Sequence, residues 1–138
     1  MPYFSDINVL YEIAEELFAR LSEDKKIKQK ALDSKLIVCF KYRKPDGELW
    51  IDCTGDEIKV IRGSQDFTAD ATLSMDTDVA HIFWLGKLNL IKALSSGEIE
   101  SEGSVARLLK MLPIIKPAFL IYPEILKDKG LGSLVDVG

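Results

Sequence analysis

The chain has 138 residues, 47% apolar and 29% charged, with 18 Lys and Arg against 22 Asp and Glu for a net charge of −4. These values describe one soluble globular domain, long enough to bury about 68% of its unfolded surface without metal or disulfide staples. A pI near 5.1 argues against a nucleic-acid partner, and no apolar run approaches the roughly 20 residues of a membrane span. Met1-Pro2-Tyr3-Phe4 lacks the basic and apolar regions of a secretory leader, so a cytoplasmic protein is expected.

The first predicted element is a helix from about Ser5 to Leu21. Val9, Leu10, Ile13, Ala14, Leu17, Phe18 and Leu21 recur at helical spacing, opposite Glu12, Glu15, Glu16 and Arg20. Ser5 or Asp6 supplies the cap, and the length of roughly 25 Å suffices to cross one face of a small sheet. Glu23 to Lys30 reads as a charged connector. Its Lys25, Lys26, Lys28 and Lys30 form the one concentrated basic patch of an acidic chain, either a solvated stretch or a transient contact for an anionic membrane surface or head group.

From Leu36 the period changes to two. Turns at Pro45-Asp46-Gly47 and Thr54-Gly55-Asp56 divide three antiparallel strands. Two-residue turns would set Lys41 opposite Asp52 and Asp52 opposite Lys59, a charge ladder on one face. Leu36, Val38, Phe40, Tyr42, Leu49, Ile51, Cys53, Ile58 and Val60 then share the other, buried face. Ala69 to Met75 alternates as a fourth strand and Gly97 to Gly103 as a fifth. Between them, Asp76, Thr77 or Asp78 caps a short helix through Leu85, and Asn89 caps another through Ser96, closed by Gly97. Ser104 begins a helix with Val105, Leu108, Leu109 and Leu112 on one stripe, stopped by Pro113. The expected fold is α+β, a five-stranded, mostly antiparallel sheet with helices packed on one face.

Catalytic machinery is sparse. The single histidine, His81, stands beside Asp78 in a short helix and reads as a surface residue, since zinc needs three or four grouped ligands. In the two-residue-turn register Cys39 and Cys53 fall on opposite strand faces, whereas a three-residue loop would set them directly across from each other; they read as reduced thiols. Glu98, Glu100 and Glu102 alternate along a strand as a solvated face, and no phosphate-cradling glycine loop is present. No catalytic residue, metal or cofactor is expected.

The stretch Ala69-Asp70-Ala71-Thr72-Leu73-Ser74-Met75, followed by Gly86-Lys87-Leu88-Asn89, Lys92-Ala93-Leu94, Gly97, Ile99 and Gly103, resembles the sterol carrier protein 2 family. The likeness spans about Ser5 to Leu112, and departs from the family pattern at Leu90, Glu98, Ser101 and Ser104. The terminal Val135-Asp136-Val137-Gly138 differs from a Ser-Lys-Leu peroxisomal signal. The resemblance implies non-catalytic binding and carriage of a lipid, a fatty acid or acyl-CoA before a rigid sterol, in a tunnel between sheet and helices. Expected lining residues are Phe40, Tyr42, Ile51, Val60 and Leu73 from the sheet, with Phe83, Trp84, Leu88, Ile91, Leu94, Leu108 and Leu112 from the helices.

Residues 1–112 would form the core of this single domain and 113–138 an extension. Pro113 to Leu126 is strongly apolar and must be covered. It closes the tunnel as a lid, with Phe119 and Tyr122 facing the ligand, or it packs on the domain or in a homodimer contact. The alternative function is a protein-interaction or regulatory module that uses the same fold and this segment.

Overall fold

The computed structural model describes residues 2–138. Helix α1 (Ile7–Glu23) begins where the Asp6 carboxylate accepts the Asn8 N–H, and it buries Leu10, Tyr11, Ile13, Ala14, Leu17, Phe18 and Leu21. This is the predicted apolar stripe with Tyr11 in place of Val9.

The charged connector is instead a second helix, α2 (Lys25–Ser34). Asp24 caps it by accepting from the N–H groups of Lys26 and Ile27. Lysine, glutamine, alanine and leucine all favour helix. The apolar signal was thin because α2 buries only Ala31. Lys25, Lys26 and Lys30 are exposed, while Lys28 pairs with Glu57 at 2.6 Å.

Strands β1 (Ile37–Arg43), β2 (Gly47–Asp52), β3 (Lys59–Arg62), β4 (Ala71–Asp76) and β5 (Glu100–Gly103) form one sheet in the order β3-β2-β1-β4-β5. All neighbours are antiparallel except β1 and β4, which run parallel. Asp52 opposes Lys59 as expected, but Lys41 opposes Glu48 rather than Asp52. The β1–β2 connection is a wider turn in which Lys44 takes φ 58°. Because the register moves by an even number of positions, every side chain keeps its expected face.

Phe40 thus lies between Leu49 and Leu73, and Tyr42 between Gly47 and Met75. A Cβ on Gly47 would strike the Tyr11 hydroxyl, which accepts the Glu48 N–H at 3.0 Å. Glycine there lets α1 lie directly on the sheet. Gly103 (φ 84°) approaches the Asp70 backbone with no room for a Cβ, seating β5 on the sheet edge.

The outer face is not wholly solvated. Cys39 and Trp50 are buried there, with Phe67 edge-on to Trp50 at 5.0 Å. Both cysteines are free, and burial pushes each thiol up to about 11, leaving them protonated and poorly nucleophilic.

Helices α3 (Thr77–Trp84) and α4 (Leu90–Ser96) match the predicted pair, including the Asn89 cap and the left-handed Gly97. The next helix divides. Helix α5 (Val105–Leu109) ends early, and α6 (Leu112–Ile115) takes Pro113 into its first turn, where a missing N–H costs nothing. Helix α7 (Ala118–Asp128) continues through Pro123 and is followed by a 3-10 turn at Gly132–Leu134. It packs along α1, with Ala118, Tyr122, Ile125 and Leu126 each at most 1% exposed.

His81 corrects the surface reading, for it is fully buried. Its Nε2 lies 2.8 Å from the Leu134 carbonyl and its Nδ1 2.7 Å from the Tyr122 hydroxyl. A carbonyl only accepts, so Nε2 carries the proton and Nδ1 accepts from Tyr122. The neighbours that bury it, Tyr3, Phe4 and Tyr122, come from both chain ends, which no local pattern around position 81 could show. Burial holds His81 below its ordinary value of 6.5, with the Leu134 carbonyl and Asp78 opposing and Lys87 assisting.

A histidine depressed in the folded state leaves the unfolded chain with more protons at acid pH. Stability is therefore expected to be complete above about pH 6.5 and to decline below it. A His81→Asn variant should be less stable at neutral pH yet show a weaker loss between about pH 6.5 and pH 5. Urea denaturation across that range measures both. An unchanged pH slope in the variant would remove His81 as the cause.

Candidate functional site

The inward faces of β1, β2 and β4 form the floor of an apolar cavity. Leu36, Val38, Phe40 and Tyr42 supply its centre, flanked by Ile51, Cys53 and Ile58 on one side and Leu73 and Met75 on the other. Phe18 of α1, Ala31 and Ser34 of α2, and Ala80, Phe83 and Trp84 of α3 stand over it with Leu90 and Ile99. Leu108, Met111, Leu112 and Ile115, carried by α5, α6 and the residues joining them, complete the wall.

The void is about 80 Å³, within about 860 Å³ of unoccupied space once the mouth and side-chain crevices are counted. That volume has room for several water-sized groups. Aromatic rings give it shape. Phe40 stacks on Tyr42 at 6.2 Å, and Trp84 meets Phe18, Phe40 and Phe83 edge-on.

Among the described residues no charged one lines the cavity. Among its lining residues, Ser34, Cys53, Tyr42 and Trp84 carry polar side-chain groups. Burial raises the Tyr42 phenol far above its ordinary value, with the Trp84 indole beside it acting the other way. The phenol stays neutral. Among the described residues no three His, Cys, Asp or Glu side chains group for a metal. The arrangement can enclose an apolar chain.

Of the residues expected to line the tunnel, Phe40, Tyr42, Ile51, Leu73, Phe83, Trp84, Leu108 and Leu112 meet in this cavity. Val60, Leu88, Ile91, Leu94, Phe119 and Tyr122 stand outside its lining. Val60, Leu88 and Leu94 are half-buried, and Ile91 is 58% exposed. Phe119 packs edge-on against Phe83 at 5.6 Å, and Tyr122 is committed to His81. The part of the apolar C-terminal segment that reaches the cavity is Ile115, next to Leu112 of the core.

Sequence reasoning passed over Ala31, Ser34 and Ile115 as lining residues, which sit on short helices of weak periodicity, and Met111, which joins α5 to α6. It also passed over Leu36, Val38, Cys53, Ile58 and Met75 as ligand-facing residues. Their inward alternation was the available signal.

No helix among the described residues is long and apolar enough to cross a membrane. A search of curated protein sequences finds no match. Solved structures share the fold. Sterol carrier protein 2 from Yarrowia lipolytica, in its apo form, is 17% identical over 86% of this chain and 88% of its own, with a TM-score of 0.59. The stereoselective inverting sec-alkylsulfatase from Pseudomonas sp. is 16% identical over 63% of this chain, with a TM-score of 0.56, and the match spans 14% of that longer protein. Sterol carrier protein 2 from Aedes aegypti, in complex with palmitate, is 21% identical over 75% of this chain and 94% of its own, with a TM-score of 0.52. The profile of the SCP-2 sterol transfer family matches residues 14–116. With this strand and helix order and an apolar cavity on the helix-covered face, the chain belongs to the SCP-2 sterol transfer family.

Proposed function

We propose that this domain is a non-catalytic cytoplasmic carrier of single-chain lipids, fatty acid or acyl-CoA, held non-covalently in the cavity. The observation that carries the reading is the uncharged, almost wholly apolar lining between sheet and helices. A chain of about sixteen carbons at roughly 0.8 kcal/mol per methylene supplies on the order of 12 kcal/mol before ordering costs. The relative from Aedes aegypti is described in complex with palmitate, a ligand of this class.

The void of about 80 Å³ is smaller than such a chain, so binding requires part of the wall to give way. Helices α5 and α6 bury no residue and α2 buries one, which makes them the parts that move. The exposed Lys25, Lys26 and Lys30 on α2 are placed to meet an anionic membrane as lipid is taken up or released. Leu120, 78% exposed, and Ile91 support a second reading in which the domain docks a protein partner or a second copy of itself.

Native mass spectrometry of the purified protein, followed by organic extraction and titration with a fluorescent fatty acid, separates the two. A monomer that releases lipid and binds the probe saturably is expected. A ligand-free dimer that ignores the probe would replace the carrier by the docking module.

A further inference from the structure

The movable walls of the cavity meet at one side chain. Ser34, the last residue of α2, and Leu108 on α5 both line the void. Arg107, beside Leu108, reaches across the gap. Its Nη2 donates to the Ser34 carbonyl at 3.0 Å, and its Nη1 lies 3.9 Å from Asp70 Oδ1. Asp70 Oδ2 already accepts the Ile37 N–H at 2.8 Å.

A guanidinium with five donors is thus tied by one short bond to a neutral carbonyl and one long ion pair. Its side chain remains 49% exposed. From Gly103 to Pro123 the chain holds Arg107, Lys110 and Lys116 and no acidic residue. Inside the cavity nothing can neutralise an anion, and a charge left there would be strongly disfavoured. A ligand with an anionic head must keep that head at the rim, where Arg107 stands.

We propose that Arg107 is both the strap that closes the cavity and the anchor for a carboxylate head group. A carboxylate offers the guanidinium a paired, charge-assisted contact stronger than its bond to the Ser34 carbonyl. Taking Arg107 from that carbonyl unties α5 from α2 as the acyl chain enters between them. The inference rests on the lipid-carrier reading and deepens it by naming the residue that anchors the carboxylate head of the single-chain lipid.

The test compares hexadecanoate with hexadecanol, equal in chain length and differing in charge, on the unaltered protein, Arg107→Gln and Arg107→Lys. Arg107→Gln should weaken hexadecanoate by about tenfold and leave hexadecanol unchanged or tighter, because the strap is gone. Arg107→Lys, which keeps the charge without the fork, should recover part of the hexadecanoate affinity. Hexadecanol binding also reports that the variant cavity is intact. An equal loss for both ligands, or no loss for hexadecanoate, would overturn the assignment. If neither ligand bound the unaltered protein, the carrier reading itself would fall.

Discussion

Ala31→Phe is expected to cut affinity for a sixteen-carbon fatty acid by about tenfold or more while leaving the domain folded. Ala31 is the one buried residue of α2, and its methyl group forms part of the cavity wall. A benzyl group at this position points into space the ligand must occupy. Excluding two methylenes from the cavity removes about 1.6 kcal/mol of transfer energy, which is already more than tenfold. Filling a void avoids much of the usual strain of adding bulk to a packed core, so the melting temperature should change little. Fluorescent fatty-acid titration beside a thermal melt gives both quantities. Full affinity in a stably folded variant would show that the lipid does not lie in this cavity.

Ile125→Ala is expected to destabilise the domain by about 3 to 4 kcal/mol, lowering the melting temperature by roughly 12 °C or more. Ile125 has no exposed surface, and it belongs to the face of α7 that packs on α1 with Ala118, Tyr122 and Leu126. Truncation there loses the transfer energy of the removed carbons and leaves a hole the rigid helix pair cannot close. Leu120→Ala, on the same helix but 78% exposed, should change stability by no more than about 0.5 kcal/mol. Urea denaturation with an unchanged m-value checks the contrast. A cost below about 1 kcal/mol at Ile125 would mean that α7 lifts away from α1 easily, as a lid would.

That prediction bears on the segment whose place was hardest to read in advance. Pro113 to Leu126 is apolar on too many sides for its partners to be read from periodicity. In the fold its burden divides. Ile115 reaches the cavity, Phe119 covers Phe83 and Gly86, the face of α7 that carries Ala118, Tyr122, Ile125 and Leu126 is buried as α7 packs along α1, and Leu120 stays exposed. Position 122 shows the same limit. An apolar-rich helix with a tyrosine suits a ligand wall or a core equally well, and only the arrival of His81 at 2.7 Å decides between them.

Alternation from Leu36 to Met75 was sufficient to assign each strand residue to its face, because a side-chain period of two survives any even change of register. The caps at Asp6 and Asn89 and the left-handed Gly97 were equally legible, since each depends on bonds within a few residues. The lone histidine and the unpaired cysteines favour binding over catalysis on the sequence alone.

Tertiary structure alone decided that β4 inserts parallel beside β1 and that the lysine-rich helix α2 comes to lie over the cavity. It also placed Arg107 against Ser34 across 73 residues of chain. These are contacts between segments distant in sequence. Their energies come from surfaces that meet only after the chain has closed on itself, so local periodicity carries no record of them.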